Sequence, residues 1–413
     1  MSLDTSLFTF AYDVVDEGAR QVVDNAADRA GVGGLLMSVT YHDGRDLFPH
    51  ARGPRVRYLE PGVTFFRPDR ERYRGLAIQP RPASITLATD PLADLVEAAT
   101  RRDLKVHGWT IFLHHDRIGD HEGFTPRNAF GDPIATDLCV SNPAVRAYAR
   151  ALAGDVASRG IETLLVEAIQ FFPLEHGLHH ERYFFPLGPR TRFLLGMCFC
   201  DACLAAARIG GADGAGLKRW AAAQIQRAFD ADVDDPPREL SRDDVAAMAG
   251  GDMGAYLATR EETVISLLAE LRAITAATGV RLAFLEPSGA VKGYATGRPE
   301  GLPSPSVAWR LGLDLQRLAD VTDELEMMSY AADPAWIAGD IAAYRSVLGQ
   351  RAGLSAAVRP TPPDCDSVEN LAEKLTLLSG AGVRRVDFYH YGMMRLEALD
   401  RIRAALSRAT RTG

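Results

Sequence analysis

The sequence has no continuous apolar run of the ~20 residues that a membrane-spanning helix requires. Its first residues, MSLDTSLFTFAYD, also lack the basic start and the unbroken apolar stretch of a secretory signal peptide. These two absences predict a cytoplasmic protein with no membrane partner. The chain shows no internal repeat and no low-complexity tract.

Positive charge and cysteine are both scarce. The chain has 46 Lys and Arg against 54 Asp and Glu, a formal net charge of −8, and its arginines are interleaved with acidic residues. Without a basic stripe, nucleic-acid binding is not expected. The five cysteines are Cys139, Cys198, Cys200, Cys203 and Cys365. In a reducing compartment they are not expected to form a disulfide framework.

The composition is that of a globular protein. The 413 residues are 47% apolar and 24% charged, and the mean hydropathy is −0.08. This length suits two or three domains, but it also suits one (β/α)8 barrel with insertions.

An alternation of strand-like runs and amphipathic helical stretches distinguishes between these arrangements. It predicts eight strands, at residues 7–13, 33–44, 104–116, 161–171, 280–289, 322–331, 353–363 and 383–394. The alternation implies a parallel sheet, and eight is the number of strands that closes a barrel. We therefore predict an α/β fold, a single (β/α)8 TIM barrel over residues 1–413. A doubly wound sheet is the alternative, but no G-x-G-x-x-G turn follows the first predicted strand.

Two of the connections between strands and helices are long. One covers residues 41–90 after the second strand. The other, at about 171–252 after the fourth strand, is an inserted Cys- and His-rich segment with helical stretches. In a barrel both connections lie at the C-terminal face, where active sites are found.

Polar and aromatic residues end nearly every predicted strand, and in a barrel these positions supply the chemistry. The predicted catalytic residues are Glu167, which follows the apolar run LLV, and Glu286, which follows LAFL, with Glu326 in reserve. The predicted substrate-binding residues are Asp13, Tyr41, His42, His114, His115, Tyr330, Arg359 and His390 at strand ends, and His179 and His180 in the loop after the fourth strand.

Two facing carboxyl groups can hydrolyse a glycoside. One protonates the leaving oxygen, and the other attacks the anomeric carbon or activates water. Structural roles compete with this interpretation, because such a glutamate could pair with Arg359 or cap a loop. The loop histidines, which include His176, are expected to contact substrate rather than to ligate a metal.

Three cysteines lie within the six residues CFCDAC, in the spacing C-x-C-x-x-C. A structural zinc site needs four such ligands in a tetrahedron, and Cys139 is the predicted fourth. The other hypotheses are a redox dithiol, for which the thioredoxin pattern is missing, a catalytic thiol, and three unmetallated thiols. The zinc ligands predicted from the spacing are Cys139, Cys198, Cys200 and Cys203.

The arrangement Cys139…Cys198-x-Cys200-x-x-Cys203 resembles the zinc-binding cysteine cluster of family 42 β-galactosidases. More broadly, LCVSNPAVRAYARAL, LLVEAIQF and CFCDAC resemble a group of bacterial glycoside-hydrolase-like TIM barrels, chiefly over residues 105–205. The resemblance implies an acidic residue at the end of the fourth strand, which Glu167 matches. The family 42 enzymes have an Asn-Glu pair there, whereas Val166 precedes Glu167, and the seventh strand lacks their carboxylate nucleophile. β-Galactosidase activity is therefore not inferred.

These observations predict a glycosidase that uses paired carboxylates on a small glycoside or oligosaccharide. Two alternatives remain on the same barrel. A divalent-metal sugar isomerase or epimerase would hold Mn²⁺ or Mg²⁺ between Glu167, Glu286 and a strand-end side chain. A barrel that only binds sugar is the other. The expected partner is a carbohydrate, and assembly into a homo-oligomer is compatible with the sequence.

Overall fold

The structure is a computed structural model of the chain. It describes residues 3–115, 122–174, 182–231, 240–292, 299, 301–349 and 351–412. No helix within these ranges is long and apolar enough to cross a membrane.

Eight parallel strands close into a barrel. In chain order the strands are β1 (Asp4–Thr9), β2 (Gly34–Tyr41), β3 (Gly44–Leu47), β4 (Val56–Leu59), β5 (Val63–Thr64), β6 (Lys105–Ile111), β7 (Thr163–Glu167), β8 (Arg281–Glu286), β9 (Glu324–Met328), β10 (Gly353–Val358) and β11 (Arg385–Phe388). The order β1-β2-β6-β7-β8-β9-β10-β11 is parallel throughout, and β11 pairs with β1 to complete the ring. The predicted (β/α)8 barrel is confirmed.

Helices surround this ring. They are α1 (Ala11–Glu17), α2 (Ala19–Asp24), α3 (Pro91–Thr100), α4 (Pro143–Ala157), α5 (Pro189–Leu195), α6 (Asp201–Ile209), α7 (Gly214–Asp230), α8 (Arg242–Ala246), α9 (Asp252–Thr278), α10 (Leu315–Val321), α11 (Pro334–Leu348), α12 (Val368–Gly380) and α13 (Glu397–Thr412). A π-helical segment, Asn25–Ala30, follows α2. Short 3-10 turns occupy Arg70–Tyr73, Ser84–Leu87, Glu122–Phe124, Met248–Gly251, Pro287–Lys292, Ser304–Ser306, Ala308–Leu311 and Tyr391–Met393.

Local sequence explains where these helices begin. Asn142 caps α4, since its side chain accepts a hydrogen bond from the Ala144 N–H at 2.9 Å, and Pro143 occupies the first turn. Ser367 caps α12 in the same way through the Asn370 N–H. Asp13 was expected to end the first strand. The strand instead ends at Thr9, and Asp13 lies in the first turn of α1, where its carboxylate accepts from the Phe10 N–H at 2.8 Å.

The long connection after β2 forms an antiparallel hairpin, β3 with β4, and the short strand β5, which pairs antiparallel with the end of β2. A second apolar cluster packs around the inserted segment after β7. It includes Met197, Phe199 and Leu217 of the segment, with Tyr256 of α9 and Trp309 of the connection after β8, all of them buried. Both connections start from the C-terminal ends of their strands, as expected for a barrel of this direction.

The interior of the barrel is unusual because it holds charged side chains. Arg385 is 4% exposed and forms ion pairs with Glu324 at 2.7 Å, Glu326 at 3.1 Å and Asp387 at 2.7 Å. Branched apolar residues normally fill this space. Burial and the neighbouring carboxylates raise the pKa of Glu326 well above its usual range. Protonation of Glu326 removes part of the repulsion between these buried carboxylates.

Candidate active site at the C-terminal mouth

Glu167 is the last residue of β7 and lies at the C-terminal mouth of the barrel. Its side chain is half-buried, and its Oε2 accepts a hydrogen bond of 2.5 Å from the indole N–H of Trp109 on β6. Strand pairing sets Trp109 beside Leu165, two residues before Glu167, so both side chains face the inside of the barrel. The indole therefore fixes one oxygen of the carboxyl group and leaves the other open to the mouth.

The pKa of Glu167 is raised from 4.5 to about 7. Removal from water is the main cause, because burial disfavours the charged carboxylate. The Trp109 hydrogen bond and the nearby His114 act in the opposite direction and moderate the increase. A carboxyl group with this pKa carries a proton for a substantial part of the time near neutral pH, as a general acid requires.

Aromatic residues form one wall of the mouth beside Glu167. The side chains of Tyr41 and Tyr389 share a hydrogen bond, and the charge of Glu167 raises the pKa of both. His42 stacks on Tyr41, with ring centroids 4.2 Å apart, and on His114 at 4.5 Å. The mouth thus offers hydroxyl groups, imidazoles and ring faces, which suit a polar ligand with apolar faces.

Tyr330 and Arg359 extend the mouth beyond Tyr389. The guanidinium of Arg359 lies 4.4 Å from the centre of the Tyr330 ring and pairs with Asp364. Tyr330 also packs against Tyr389, at 5.9 Å between ring centroids. Burial raises the pKa of Tyr330, and the charge of Glu167 adds to this increase while that of Arg359 opposes it.

A second carboxylate, Asp46, approaches the same wall from the β3–β4 hairpin. It is half-buried, and burial raises its pKa. Its charge in turn raises the pKa of Tyr41 and of Tyr389, the two tyrosines that also interact with Glu167. Sequence reasoning missed Asp46, because it lies on β3, a strand of the long connection after β2, rather than at the end of a predicted barrel strand.

The structure does not bring Glu286 into the mouth. Pairing sets Leu165 beside Ala283, so the inward-facing position level with Glu167 is Leu285, and Glu286 faces the helix layer. Its buried carboxyl group accepts hydrogen bonds from the N–H and hydroxyl of Ser288 and from the hydroxyl of Tyr344 on α11. These contacts satisfy Glu286 as a structural residue.

Glu326 and three substrate-binding candidates are buried. Glu326 is fully buried with Arg385 inside the barrel. Asp13 is buried in the first turn of α1, and His115 packs near Gly62 and Tyr148. His390 is 2% exposed, and its ring lies 4.1 Å from that of Phe10 and 6.3 Å from that of Trp109. Burial lowers the pKa of His390 to about 3, so it is neutral.

The mouth therefore collects Glu167, Tyr41, His42, His114, Tyr330 and Arg359 from the predicted set. His176, His179 and His180 lie outside the described residues. Trp109 and Tyr389 were not predicted as site residues. The sequence contained an indication of both, because side chains along a strand alternate between its two faces. Each of these two residues occupies an inward-facing position of its strand.

The four predicted zinc ligands do come together. The sulfur of Cys139 lies 3.9 Å from that of Cys198, 3.4 Å from that of Cys200 and 3.5 Å from that of Cys203, and all four sulfurs lie within 4.8 Å of one another. A tetrahedral zinc with Zn–S bonds of about 2.3 Å would hold its sulfurs about 3.8 Å apart, close to these separations. A disulfide would need about 2.05 Å. The cluster could thus hold a metal ion, whereas Cys365 lies apart from it.

A buried arginine beside the thiols supports a negatively charged cluster. Arg260 of α9 is 4% exposed, and one of its terminal nitrogens donates to the Arg310 carbonyl at 3.0 Å. Its other two guanidinium nitrogens have no hydrogen-bond partner in the part of the chain that the structure describes. Its charge interacts with the thiols of Cys198 and Cys203. A metal with four thiolates carries net negative charge, which would compensate this buried cation.

The fold is shared with glycoside hydrolases of known structure, although no family model and no curated protein matches the sequence. A β-galactosidase from the psychrophilic Marinomonas ef1 has a TM-score of 0.58, with 12% identity over 99% of this chain and 59% of its own. The α-L-fucosidase isoenzyme 2 from Paenibacillus thiaminolyticus has a TM-score of 0.55, with 11% identity over 99% of this chain and 49% of its own. This chain spans only about half of the fucosidase and 59% of the galactosidase. At such identities the likeness concerns the barrel fold.

Proposed function

We propose that the chain is a glycoside hydrolase and that Glu167 is its general acid. One observation carries this proposal: a half-buried carboxyl group with a pKa of about 7 ends the fourth barrel strand and faces a mouth lined with tyrosines, histidines and an arginine. In this role Glu167 donates its proton to the oxygen of the scissile glycosidic bond as that bond breaks. The Trp109 indole orients the carboxyl group.

Asp46 is our proposed second carboxylate, in place of Glu286. Glycoside hydrolysis needs a group that attacks the anomeric carbon or activates a water. Asp46 is the candidate because its charge, like that of Glu167, raises the pKa of both Tyr41 and Tyr389. Within the described residues no hydrogen bond or ion pair occupies its carboxylate. Glu286, by contrast, is satisfied by Ser288 and Tyr344.

The walls of the mouth suit a carbohydrate ligand. Tyr41, Tyr330 and Tyr389 can stack on the apolar face of a pyranose ring, and the hydroxyl and imidazole groups can bond to sugar hydroxyls. The side chains around the mouth come from the ends of several strands. We propose small glycosides or short oligosaccharides as substrates, tested on a panel of aryl glycosides and oligosaccharides.

The pH dependence of the reaction follows from the pKa of Glu167. Only the protonated form can act as the acid, so kcat/KM is expected to fall as pH rises through about 7. The measurement is the pH–rate profile on an aryl glycoside whose leaving group needs protonation. A substrate with an acidic leaving group should show a weaker alkaline decline. A profile that is flat from pH 6 to pH 9 on both substrates would contradict the role of Glu167.

Replacing Asp46 by alanine is expected to lower kcat by about 10²-fold or more, since covalent or base catalysis is lost while Glu167 remains. Added azide, a small external nucleophile, should restore turnover of an activated aryl glycoside by Asp46→Ala. Asp320→Asn, an exposed acid on α10, serves as the control and should keep full activity. Full activity in Asp46→Ala would move the second carboxylate elsewhere.

We further propose that the metal of the cysteine cluster is zinc and that its role is structural. Four thiolates are soft ligands that prefer zinc and leave no open coordination position for substrate. Cys139 belongs to the connection after β6, and the other three ligands belong to the segment after β7. A shared zinc would tie these two connections together beside the mouth. The sulfur separations and the buried Arg260 support this assignment.

The isomerase alternative has less support. In the described part of the chain, the four cysteines form the only group of three or more potential ligands that could hold a metal ion. Glu167 and Glu286 face different sides of the barrel wall, so they do not form the carboxylate pair that a Mn²⁺ or Mg²⁺ site would use.

A further inference from the structure

The opposite, N-terminal end of the barrel contains a polar cavity of about 380 Å³. The first residues of several strands line it, among them Ser6, Lys105, His107, Arg281, Glu324 and Arg384. A volume of this size falls within the ~300–1,000 Å³ of ligand pockets. Glycine at position 34 keeps the wall open, because a Cβ there would lie 2.7 Å from the Ser6 hydroxyl and 3.1 Å from His107 Nε2.

Two of the four carboxylates that line the cavity have close partners. Asp323 pairs with Arg272 at 2.7 Å. Glu324 lies between Arg281 at 3.2 Å and Arg385 at 2.7 Å. These two acceptors are therefore engaged within the protein. The other two, Glu162 and Asp4, are exposed, and Glu162 has only a 4.0 Å contact with Lys105.

In contrast, several hydrogen-bond donors that line the cavity can form further hydrogen bonds. The Arg384 side chain has no hydrogen-bond or ion-pair partner among the described residues, and Lys105 has only its 4.0 Å contact. Arg281 is 38% exposed and uses one terminal nitrogen on Glu324. Each of these cations can donate further hydrogen bonds into the cavity. The excess of donors over free acceptors selects for a ligand that accepts hydrogen bonds.

His107 contributes a polar side chain to the cavity wall. It is 3% exposed and lines the cavity, and no hydrogen bond within the described ranges involves its imidazole. Burial, followed by the charges of Arg385, Lys105 and Arg281, holds the pKa of His107 well below its usual range. The carboxylates that pair with these cations are Glu324, Glu326, Asp387 and Glu162. A neutral imidazole can donate one hydrogen bond to an anion without adding charge.

We propose that this cavity binds a small oxyanion, either inorganic phosphate or a small molecule that presents a phosphate or carboxylate group. Arg384 and Lys105 would contact the oxygens at the rim, and His107 and the Ser6 hydroxyl would contact them from inside. Guanidinium and ammonium groups bind such oxygens through charge-assisted hydrogen bonds. The site lies at the other end of the barrel from Glu167 and does not depend on the proposed hydrolysis.

The test is calorimetric titration of the purified full chain with inorganic phosphate and, separately, with succinate at low ionic strength. Arg384→Gln and Lys105→Gln remove the two cations with the fewest contacts inside the protein, so both variants should fold. Loss of either cation is expected to weaken binding by about five- to tenfold, within the range that a typical hydrogen bond contributes. Arg20→Gln, at a side chain that is 92% exposed on α2, removes the same charge elsewhere and should bind like the wild type.

Each outcome decides the proposal. Tighter binding of phosphate than of succinate, lost together in both variants, supports a phosphate site, and the reverse order supports a carboxylate site. Absence of heat with both anions up to tens of millimolar would overturn the proposal. Equal weakening in Arg20→Gln would also overturn it, since that result would show only a general attraction of anions to positive charge. Circular dichroism of each variant establishes that the fold is retained.

Discussion

Replacing Glu167 by glutamine is expected to lower kcat on any glycoside that the chain hydrolyses by about 10²–10⁴-fold, the usual contribution of a general acid. Glutamine keeps the shape of the side chain and can still accept the hydrogen bond from Trp109, but it cannot donate the required proton. The loss should be largest on substrates with poor leaving groups. The measurement is kcat and KM on aryl glycosides whose leaving groups differ in acidity.

The stability of Glu167→Gln provides an internal check on the cause. Folding raises the pKa of Glu167 from 4.5 to about 7, so the folded state holds this proton more tightly than the unfolded chain does. The contribution of Glu167 to the free energy of unfolding is therefore fully present below pH 4.5 and is lost as pH rises through 7. Glu167→Gln removes that loss, and its Tm should exceed that of the wild type at pH 8 but match it near pH 4.

The variant Glu286→Gln distinguishes the role of Glu286 from that of Glu167, the two glutamates that the sequence predicts to be catalytic. Because Glu286 is buried against Ser288 and Tyr344, this variant should lose stability while kcat stays near the wild-type value. Thermal unfolding and turnover at a temperature well below the Tm give the two readouts. Unchanged hydrolysis in Glu167→Gln, or a large loss of kcat in a folded Glu286→Gln, would reverse the assignment proposed here.

Replacing Cys139 by serine is expected to abolish stoichiometric zinc binding. The Cys139 sulfur lies within 3.9 Å of each of the other three sulfurs, and a hydroxyl is a poor ligand for zinc in such a soft site. The wild type should carry one zinc per chain, and Cys139→Ser close to none. Loss of the metal should also lower the Tm, since binding to the folded state alone contributes to stability. Elemental analysis and thermal unfolding measure both effects.

Cys365→Ser is the matched control for this experiment. Cys365 is also buried, but its sulfur donates to the Ser367 carbonyl and lies outside the cluster. This variant should keep one zinc per chain. A wild-type chain that is purified without chelators and still contains no zinc after loading would contradict the proposed centre. Equal metal loss in both variants would point to a general effect on folding.

Hydrophobic periodicity was sufficient to locate all eight barrel strands, because a buried parallel strand needs a continuous apolar run wherever it lies. The boundaries were less certain at the polar ends. Residues 10–13 were assigned to the first strand, yet a helix begins at Ala11, since the Asp13 carboxylate caps its first turn. Such a cap depends on three-dimensional contacts that a run of apolar residues does not reveal.

The candidate site was predictable where strand direction alone places a residue at the mouth. Glu167 and Tyr330 are of this kind. Asp46 was not predictable, because a hairpin in a long connection can fold over any part of the C-terminal face. The partner of Glu167 was likewise beyond the sequence. Whether Glu286 faces the mouth or the helices depends on the register between β7 and β8, and a shift of one residue exchanges the two faces.

The sequence by itself determined the strand–helix alternation, the acidic end of the fourth strand and the cysteine spacing, because each is a local pattern set by side-chain chemistry. Only the tertiary structure decided which groups meet. It brought Cys139 to the CFCDAC segment, set Trp109 against Glu167, and gathered Lys105, His107 and Arg384 at the far end of the barrel. These contacts join residues that are far apart in the sequence. They form because the barrel closes with a fixed register between its strands.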